Sequence, residues 1–348
     1  MKVTVLMGGA SAERNVSLAS GLRIINALRS RGHEVTAFDP SRGVIDADAE
    51  RELEAKGVGT EPPSLEALAN ATGGSFLPAL ERYPELAGAD VVFLGLHGGQ
   101  GEDGTLQALL DMAHIMYTGS GVLASALAMD KDLSKKLFRA AGVKTADWLM
   151  APASIEEVEK KLGLPVVVKP SKQGSTVGLT VVKRREQYDA AVAEALRYDD
   201  EVMIESFIAG REITVGVLGD RVLPVGEIKP KHEIYDYECK YTAGMADEDF
   251  PAELSGEETA NVQAQALAAF RALKLGGCAR IDFRLASTDD GGAKKGQFYC
   301  LEANTLPGMT ELSLIPQGAA ALGMSFADLC EEIVRLATVR NRPAQSVL

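Results

Sequence analysis

Two stretches of this sequence decide its fold: Ala279-Arg-Ile-Asp-Phe-Arg284 and Gln297-Phe-Tyr-Cys-Leu-Glu-Ala-Asn-Thr-Leu-Pro-Gly308. Both mix apolar and polar residues in near alternation, a pattern that predicts half-buried strands. Because strand side chains change faces at every residue, Arg280 shares a face with Asp282, and Glu302 shares a face with Asn304. We therefore predict that the two strands bring these polar side chains to one point.

Asp282, Glu302 and Asn304 would offer three oxygen donors at that point. The usual magnesium site in a protein combines one or two carboxylates with substrate phosphates. A charged face exposed to solvent is the alternative, and the apolar Ile281 and Phe283 between the polar residues argue against it. The strand pair therefore predicts a magnesium site and nucleotide chemistry.

Composition narrows the class of protein. The chain has 348 residues, enough for two or three domains. Its net charge of -13 argues against general binding to nucleic acid or to anionic membranes, so we expect small-molecule partners. No run approaches the ~20 apolar residues of a membrane span. The four cysteines form no Cys-x-x-Cys pair, so neither a zinc site nor a disulfide framework is indicated. Residues 1–7 lack the long apolar core of a signal peptide, and we expect a cytoplasmic protein.

The chain divides into three predicted units. The pattern of residues 2–38 predicts a strand, a glycine turn, a helix and a second strand. Residues 91–96 predict another buried parallel strand, and together these segments indicate an α/β unit. A boundary is predicted near residues 118–125. The middle unit is a small α+β lobe, and the last unit contains the two acidic strands. Residues 41–89 predict a partly helical insertion that carries little chemistry.

The stretch Lys169-Pro-Ser-Lys-Gln-Gly-Ser-Thr-Val-Gly178 follows an apolar strand and has the parts of a phosphate clamp. Glycine allows the backbone to approach an anion, Ser175 and Thr176 offer hydroxyl donors, and Lys169 supplies a positive charge. An ordinary connection between strands is the alternative. The Gly-x-x-x-x-Gly-Lys-[Ser/Thr] motif is missing from the sequence, which excludes a P-loop NTPase.

The stretch Gly99-Gln-Gly-Glu-Asp-Gly104 matches the Gly-x-Gly-x-x-Gly pattern of dinucleotide-binding folds. Glu102 and Asp103 would face the pyrophosphate, and no acidic residue at the end of a following strand is suited to hold a ribose. NAD binding is therefore disfavoured. His97 beside this loop is either a substrate contact or a hydrogen-bonded structural histidine, and spacing does not choose between them.

Two other segments leave alternatives open. Glu13 precedes a predicted helix, where either Glu13 or Asn15 caps the helix, or Glu13 holds a substrate ammonium. Residues 229–251 are polar and aromatic with little periodicity, which predicts an ordered functional loop in which Lys240 reaches phosphate. Packing of aromatic residues on the surface is the alternative.

Taken together, these motifs resemble the D-alanine–D-alanine ligase family of the ATP-grasp superfamily. Seven segments carry the resemblance in order over nearly the whole chain, and only residues 41–89 have no clear counterpart. The segments are Val5–Gly21, Leu96–Gly104, Ala128–Lys131, Lys169–Gly178, Tyr235–Tyr241, Arg280–Asp282 and Leu301–Pro316.

The resemblance implies a three-domain ATP-grasp architecture, α/β and α+β in class, that begins with a parallel α/β domain. An N-terminal substrate-binding domain would span residues 1–122, a central lobe residues 123–204 and a C-terminal catalytic domain residues 205–348. The active-site loop would be residues 229–251. ATP would lie between the central and C-terminal domains.

The resemblance also implies how the nucleotide is held. Glu205, Phe207 and Ile208 would meet the adenine, and Glu212 would bind the ribose hydroxyls. The acidic strands would bind two magnesium ions, or manganese, through Asp282, Glu302 and Asn304. The phosphates would be held or covered by Lys131, Lys169, Ser175, Tyr235 and Lys240.

The implied reaction joins two D-alanines. The first would bind its ammonium to Glu13, near His97, and receive the γ-phosphoryl group on its carboxylate. A hydrogen-bonded set of Glu13, Ser175 and Tyr241 would orient the amine of the second. Because relatives that use D-lactate replace the tyrosine at the position of Tyr241, we expect D-Ala-D-Ala and not a depsipeptide.

The second D-alanine would be bound through its carboxylate. Ser313, the Leu314 N–H and Lys240 would hold that group while the amine attacks the acyl phosphate. Arg280 and the Gly308 N–H would stabilise the tetrahedral oxyanion. The product would serve peptidoglycan precursor synthesis, and a homodimer is expected.

Two classes of alternative compete with this function. Another ATP-grasp ligase, making D-Ala-D-Ser or a different dipeptide, would share every ATP residue and differ around Ser313, Lys240 and Tyr241. A nucleotide-binding regulatory protein with an inactive site, or an NAD-binding module built on the Gly99 loop, would be no ligase at all. The intact set of Arg280 and the three predicted metal ligands argues against an inactive site.

Overall fold

The computed structural model describes residues 1–11, 13–56, 83–232, 234–235, 239–240, 242, 244–289 and 292–340. Residues 57–82 of the predicted insertion, and Tyr241, therefore lie outside the described part of the chain. Within it, no helix is long and apolar enough to cross a membrane.

The N-terminal unit is a four-stranded sheet with strand order β3-β2-β1-β4. β1 pairs in parallel with β2 and β4, as predicted, whereas β3 runs antiparallel to β2 inside the segment predicted to be partly helical. Its elements are β1 (Lys2–Leu6), α1 (Arg14–Ser30), β2 (Glu34–Asp39), β3 (Gly43–Ile45), α2 (Ala47–Lys56), α3 (Pro84–Ala87), β4 (Val91–Leu94) and α4 (Thr105–Met112). Leu18, Leu22, Ile25 and Leu28 recur on one side of α1 and are buried in the core, as an amphipathic helix requires.

The next part of the chain forms two helices and an antiparallel sheet with strand order β5-β8-β6-β7. Its elements are α5 (Val122–Met129), α6 (Lys131–Ala140), β5 (Trp148–Met150), α7 (Ile155–Lys161), β6 (Val166–Pro170), β7 (Thr180–Val182), α8 (Tyr188–Ala195) and β8 (Val202–Ser206). The side chain of Asp130 caps α6 by accepting from the Leu133 N–H at 2.9 Å, which satisfies a free donor of the first turn. Because β8 continues to Ser206, this sheet extends two residues past the predicted boundary at 204.

The C-terminal sheet has five antiparallel strands in the order β11-β10-β9-β12-β13. Its elements are β9 (Gly210–Leu218), β10 (Arg221–Pro230), β11 (Ala246–Asp249), α9 (Gly256–Ala272), β12 (Cys278–Ala286), β13 (Phe298–Asn304), α10 (Leu314–Ala320) and α11 (Phe326–Arg340). A capping box between Ser255 and Glu258 begins α9, as the Ser-x-x-Glu pattern predicts. The two acidic strands, β12 and β13, are adjacent as expected.

One sequence prediction about this region was wrong. The segment 229–251 is not irregular throughout, since β10 and β11 pair within it, with Lys229 opposite Asp247. The α6 helix contacts both sheets: Phe138 packs into the core beneath the C-terminal sheet with Ile213 and Phe283, and Lys135 pairs with Glu205 of the central sheet.

The N-terminal and C-terminal units share one hydrophobic core. Leu22 and Ile25 on α1 belong to the same cluster as Ile315 on α10 and Leu329 and Ile333 on α11. A shared core fixes the orientation of α1 relative to the acidic strands.

Candidate active site

The central feature is a cleft made of two adjoining cavities between the three units. The cavity near the N-terminal unit contains Glu13, His97 and Ser313, and the other extends between the central and C-terminal sheets. The two cavities adjoin, and they share the following lining residues: Lys131, Gln173, Gly174, Ser175, Tyr235, Lys240, Arg280, Glu302 and Leu314.

The acidic strands meet in the predicted register. Asp282 on β12 lies directly opposite Glu302 on β13, and Arg280 lies opposite Asn304. Residues directly opposite in an antiparallel pair point to the same side, so all four side chains share one face. Alternation along the strands therefore predicted this cluster correctly.

Arg280 and Asp282 form a buried ion pair. The Arg280 guanidinium donates to both Asp282 carboxylate oxygens, at 2.9 Å and 3.1 Å from Nε, and Thr214 Oγ1 donates to the same carboxylate at 2.7 Å. Burial is the largest single influence on Arg280 and opposes its charged form, but the charge and hydrogen bonds of Asp282, together with the charge of Glu302, raise the pKa of the guanidinium. Arg280 is therefore a fixed positive charge at the junction of the two cavities.

Glu302 is held ionised by surrounding lysines. Burial alone would raise its pKa, but the charges of Lys131, Lys240 and Lys169 outweigh burial and lower the pKa to about 2. Lys131 Nζ lies 3.3 Å from a Glu302 carboxylate oxygen. A permanently ionised carboxylate is the form that binds a metal ion.

The donor set suits a magnesium ion. Asp282 and Glu302 supply two carboxylates and Asn304 an amide oxygen, which is the number and type of protein ligand that magnesium takes beside phosphates. Within the described ranges no group of three or more His, Cys, Asp or Glu residues could hold a metal on its own. A site with these two carboxylates thus depends on further oxygen donors such as phosphates.

The loop from Lys169 to Gly178 folds over the junction of the cavities. Ser175 and Thr176 have φ angles of 50° and 64°, a left-handed backbone that costs roughly 1–2 kcal/mol per residue for L-amino acids. Thr176 Oγ1 donates to the Tyr235 carbonyl at 3.0 Å, and Ser175 Oγ donates to the Glu13 carboxylate. The loop therefore connects the central sheet to the N-terminal unit and to the 229–251 segment.

Lys169 and Lys135 share one buried acid. Lys169 Nζ donates to Glu205 at 2.6 Å, Lys135 Nζ donates to the other oxygen of the same carboxylate, and Lys135 also lies 2.5 Å from Thr145 Oγ1. Burial alone would raise the pKa of Glu205, yet the charges of both lysines leave that pKa lowered. The side chain predicted to meet adenine is thus engaged by two cations, and Glu205 still lines the cavity.

The Glu13 side chain lies in the wall of the cavity and does not cap α1. Glu13 is the residue before α1 and makes no side-chain hydrogen bond to the helix N-terminus, so the capping alternative for Glu13 is wrong. Asn15 lies inside the helix. The Glu13 carboxylate instead accepts from Ser175 Oγ at the wall of the cavity. Two members of the predicted set are in contact, and Tyr241, the third, lies outside the described residues.

His97 has both ring nitrogens in hydrogen bonds. Nδ1 lies 2.9 Å from the Leu306 carbonyl, and Nε2 lies 3.0 Å from Ser20 Oγ. The ring is 4% exposed and lines the cavity wall. These contacts favour the structural alternative, with the ring as part of the wall beside Glu13.

Gly308 and Ser313 lie together after β13. A Cβ on Gly308 would approach Ser313 Oγ to 2.6 Å, so glycine is required for the close approach of the two residues. Ser313 Oγ accepts from the Thr310 N–H at 2.9 Å, and Ser313 immediately precedes α10. Leu314 and Lys240 line the same cavity.

The far end of the cleft is more apolar. Val167, Phe207, Ile208 and Leu301 line it, together with the Glu212 carboxylate. Glu212 accepts from Arg284 at 3.1 Å, and burial raises the pKa of Glu212. A flat apolar group fits between these side chains, and the Glu212 carboxylate is suited to accept hydrogen bonds from hydroxyl groups attached to it.

The described part of the 229–251 segment closes one side of the cleft. Tyr235 OH donates to Glu248 at 3.3 Å, and Lys240 Nζ lies 5.6 Å above the Tyr235 ring. Burial is the largest cause of a raised pKa at Tyr235. Tyr235 and Lys240 both line the two cavities, where sequence predicted them.

Sequence reasoning missed several residues of the site. Arg284 shares a strand face with Arg280 and Asp282, so the same alternation could have identified it. Lys135 is one helical turn after Lys131, and that spacing was an available signal. Glu248 and Thr214 had no signal, because their partners are distant in the sequence.

Two family models match the chain. The model "D-ala D-ala ligase N-terminus" matches residues 2–120, and "D-ala D-ala ligase C-terminus" matches residues 131–335. Among curated relatives, a D-alanine–D-alanine ligase from Syntrophotalea carbinolica is 42% identical over 98% of this chain and 97% of its own length. One from Geotalea uraniireducens is 41% identical over 97% of this chain and 96% of its own length.

A solved structure agrees with these matches. The D-alanine–D-alanine ligase from Bacillus anthracis complexed with ATP has a TM-score of 0.75 and 30% identity, and the match covers 98% of this chain and 97% of that one. Two antiparallel sheets facing each other across a cleft lined by lysines and acids make this fold an ATP-grasp fold. The chain belongs to the D-alanine–D-alanine ligase family.

Proposed function

We propose that this chain is an ATP-dependent D-alanine–D-alanine ligase. It joins two D-alanines through a D-alanyl phosphate, releases ADP and phosphate, and provides D-Ala-D-Ala for peptidoglycan precursors. The observation that best supports this function is the pair of adjoining cavities, in which Arg280, Asp282 and Glu302 lie between an apolar end and a polar end that contains Glu13 and Ser313. The apolar end suits a nucleotide and the polar end suits two amino acids.

ATP occupies the end between the central and C-terminal sheets. The adenine packs against Phe207 and Ile208 beside Glu205, and Glu212 binds the ribose hydroxyls. Lys131 and Lys169 hold the α- and β-phosphates, a role supported by their position in the lining of this cavity. The loop containing Ser175 covers the phosphates, and Tyr235 and Lys240 close over the γ-phosphate.

The acidic strands are the proposed metal site. Asp282, Glu302 and Asn304 would hold two magnesium ions, or manganese, which neutralise the phosphate charge during transfer. The lowered pKa of Glu302 supports this role, because the carboxylate remains ionised at neutral pH.

The first D-alanine binds beside α1. Its ammonium pairs with the Glu13 carboxylate, and its carboxylate points towards Arg280 and the γ-phosphorus. A carboxylate oxygen forms a bond to that phosphorus while the bond from phosphorus to the bridging oxygen of ADP breaks. His97 contributes to the wall of this site through its contacts with Ser20 and Leu306.

The second D-alanine binds through its carboxylate to Ser313, the Leu314 N–H and Lys240. Its neutral amine attacks the acyl carbon, and the resulting oxyanion accepts hydrogen bonds from Arg280 and the Gly308 N–H. Each such donor contributes about 3–4 kcal/mol in comparable sites. Phosphate then leaves with the electron pair of its bond to carbon.

The amine must lose a proton as the peptide bond forms. Ser175 donates to Glu13, and these two residues, with Tyr241, would orient the amine and relay its proton. Because relatives that use D-lactate replace the tyrosine at this position, the presence of Tyr241 favours an amine nucleophile, and so D-alanine over D-lactate as the second substrate.

The three units act as substrate-binding domain, central lobe and catalytic domain, and the chain forms a homodimer.

Replacement of Glu302 tests the proposed site. Glu302→Ala removes the carboxylate that faces Asp282, and we expect it to abolish ATP-dependent dipeptide formation while circular dichroism stays that of the folded protein. Glu257→Ala, at an exposed position, is the matched control and should retain activity. Near-normal turnover by the Glu302 variant would contradict the assignment.

A further inference from the structure

A short segment after β13, residues 306–313, carries Gly308 and Ser313 and is attached to the N-terminal unit at several points. Ser20 on α1 accepts from the Met309 N–H at 3.2 Å, and His97 contacts the Leu306 carbonyl. The segment therefore lies against α1 of the N-terminal unit, although it is part of the C-terminal unit.

Arg23, one turn beyond Ser20 on α1, makes the charged contact. Its Nη1 donates to the Thr310 carbonyl at 2.7 Å and to the Met309 carbonyl at 3.2 Å. The guanidinium also lies over the Phe326 ring at 3.9 Å. A planar guanidinium packed on a ring has restricted orientation, so its N–H groups are directed at the two carbonyls.

Thr310 passes this constraint to Ser313. The Thr310 N–H donates to Ser313 Oγ at 2.9 Å, and the Thr310 hydroxyl lies 2.8 Å from the same oxygen. One residue thus separates the Arg23 contact from the hydroxyl assigned to the second substrate. A shift of the Thr310 peptide would move Ser313 Oγ directly.

We propose that Arg23 is a positioning residue for the second D-alanine site. It holds the backbone at Met309 and Thr310 so that Ser313 meets the substrate carboxylate. This inference rests on the proposed function. Arg23 acts on the second D-alanine site, because the carbonyls that it contacts, at Met309 and Thr310, lie between Gly308 and Ser313 and are linked to the Ser313 hydroxyl through Thr310.

A purely structural role is the competing explanation. Arg31, just after the end of the same helix, also joins α1 to α11, through an ion pair with Asp328, and its side-chain hydrogen bonds among the described residues go to Ser325 and Asp328, outside the 306–313 segment. Arg31→Met is therefore the matched control. Arg23→Met keeps a long stem over Phe326 and removes the donors.

The test compares two nucleophiles with the complete enzyme, ATP and magnesium. Hydroxylamine traps D-alanyl phosphate without a carboxylate site: its nitrogen bonds to the acyl carbon, phosphate leaves with the electron pair, and the nitrogen loses a proton to solvent. We expect Arg23→Met to raise the KM for the second D-alanine about tenfold, as loss of a charged hydrogen bond implies. Hydroxamate formation, and its dependence on D-alanine concentration, should stay at the wild-type level.

Arg23→Lys provides the conservative rescue, since its ammonium reaches a carbonyl but lacks the planar fork. The expected order of KM for the second D-alanine is wild type, Lys, Met, with Arg31→Met equal to wild type. If Arg23→Met does not fold, the Lys variant alone must show the raised KM with unchanged hydroxamate. Parallel loss of dipeptide and hydroxamate, unchanged KM, or an equal effect of Arg31→Met would overturn the inference. Failure of wild-type enzyme to form either product would instead reject the proposed function.

Discussion

Glu102 is a carboxyl group buried in the wall of the substrate end of the cleft. Burial, and next the charge of Glu13, raise its pKa from 4.5 to about 8. The folded protein therefore holds a proton at Glu102 at neutral pH, whereas the unfolded chain has released it. Because the folded state binds more protons between these two values, Glu102 makes stability fall as pH rises from 4.5 to about 8.

Glu102→Gln should remove that dependence, because glutamine has the size of the neutral acid at every pH. We expect similar free energies of unfolding for the two proteins at about pH 5, and a more stable variant at about pH 8. Urea unfolding without nucleotide measures both. A difference between the proteins that does not change with pH would show that Glu102 titrates normally.

Single residues differ in how well sequence predicts them. Asp282 and Glu302 could be predicted to face each other because strand alternation is local. The Ser175 partner of Glu13 lies 162 residues away, and no spacing rule connects them. Spacing also left both alternatives for His97 open, since the contacts to Ser20 and Leu306 arise only in the folded chain.

At the scale of elements, α6, β6 and β8 meet at one buried charge cluster. Lys135, Lys169 and Glu205 come from these three elements, and the side chain of Lys135 is 0% exposed. Because the two oxygens of the Glu205 carboxylate pair with one lysine each, the cluster fixes α6 against the central sheet and orients Lys169 towards the cleft.

Lys135→Met should therefore weaken both the fold and nucleotide binding. Removing one partner of a buried ion pair costs about 3–5 kcal/mol, and Lys169 can compensate part of that loss. We expect a lower free energy of unfolding in urea and a raised KM for ATP. Lys136→Met, next to it on α6, removes only an exposed pair with Asp132, worth less than about 0.5 kcal/mol. Equal stability losses for the two variants would contradict this account.

Elements with strong periodicity could be predicted from the sequence, and others could not. The α1 helix shows its spacing of Leu22, Ile25 and Leu28 directly. The β10 strand was missed because it contains Pro224 and Gly226, residues that weaken strand patterns. Its pairing with β9 has a register shift between Val222 and Val225, which accommodates the proline.

At the scale of the whole molecule, the catalytic cleft depends on packing between units. Leu22 of α1 shares a hydrophobic core with Ile315 and Leu329 of the C-terminal unit. Arg23 joins the same two units by donating to the Thr310 carbonyl. Composition and spacing identified three units but not this shared core, because contacts between units have no local signature. The substrate sites, assembled from two units, could be predicted only through the family resemblance.

The most direct measurement of the central claim is product formation by the purified enzyme with ATP and magnesium. Phosphate release and products by mass would be compared for D-alanine, L-alanine, and D-alanine with D-lactate or D-serine. The account predicts D-Ala-D-Ala from D-alanine, equal in amount to the phosphate released, and no dipeptide from L-alanine. Phosphate release without D-Ala-D-Ala, preferred use of D-serine or D-lactate, or no turnover at all would contradict it.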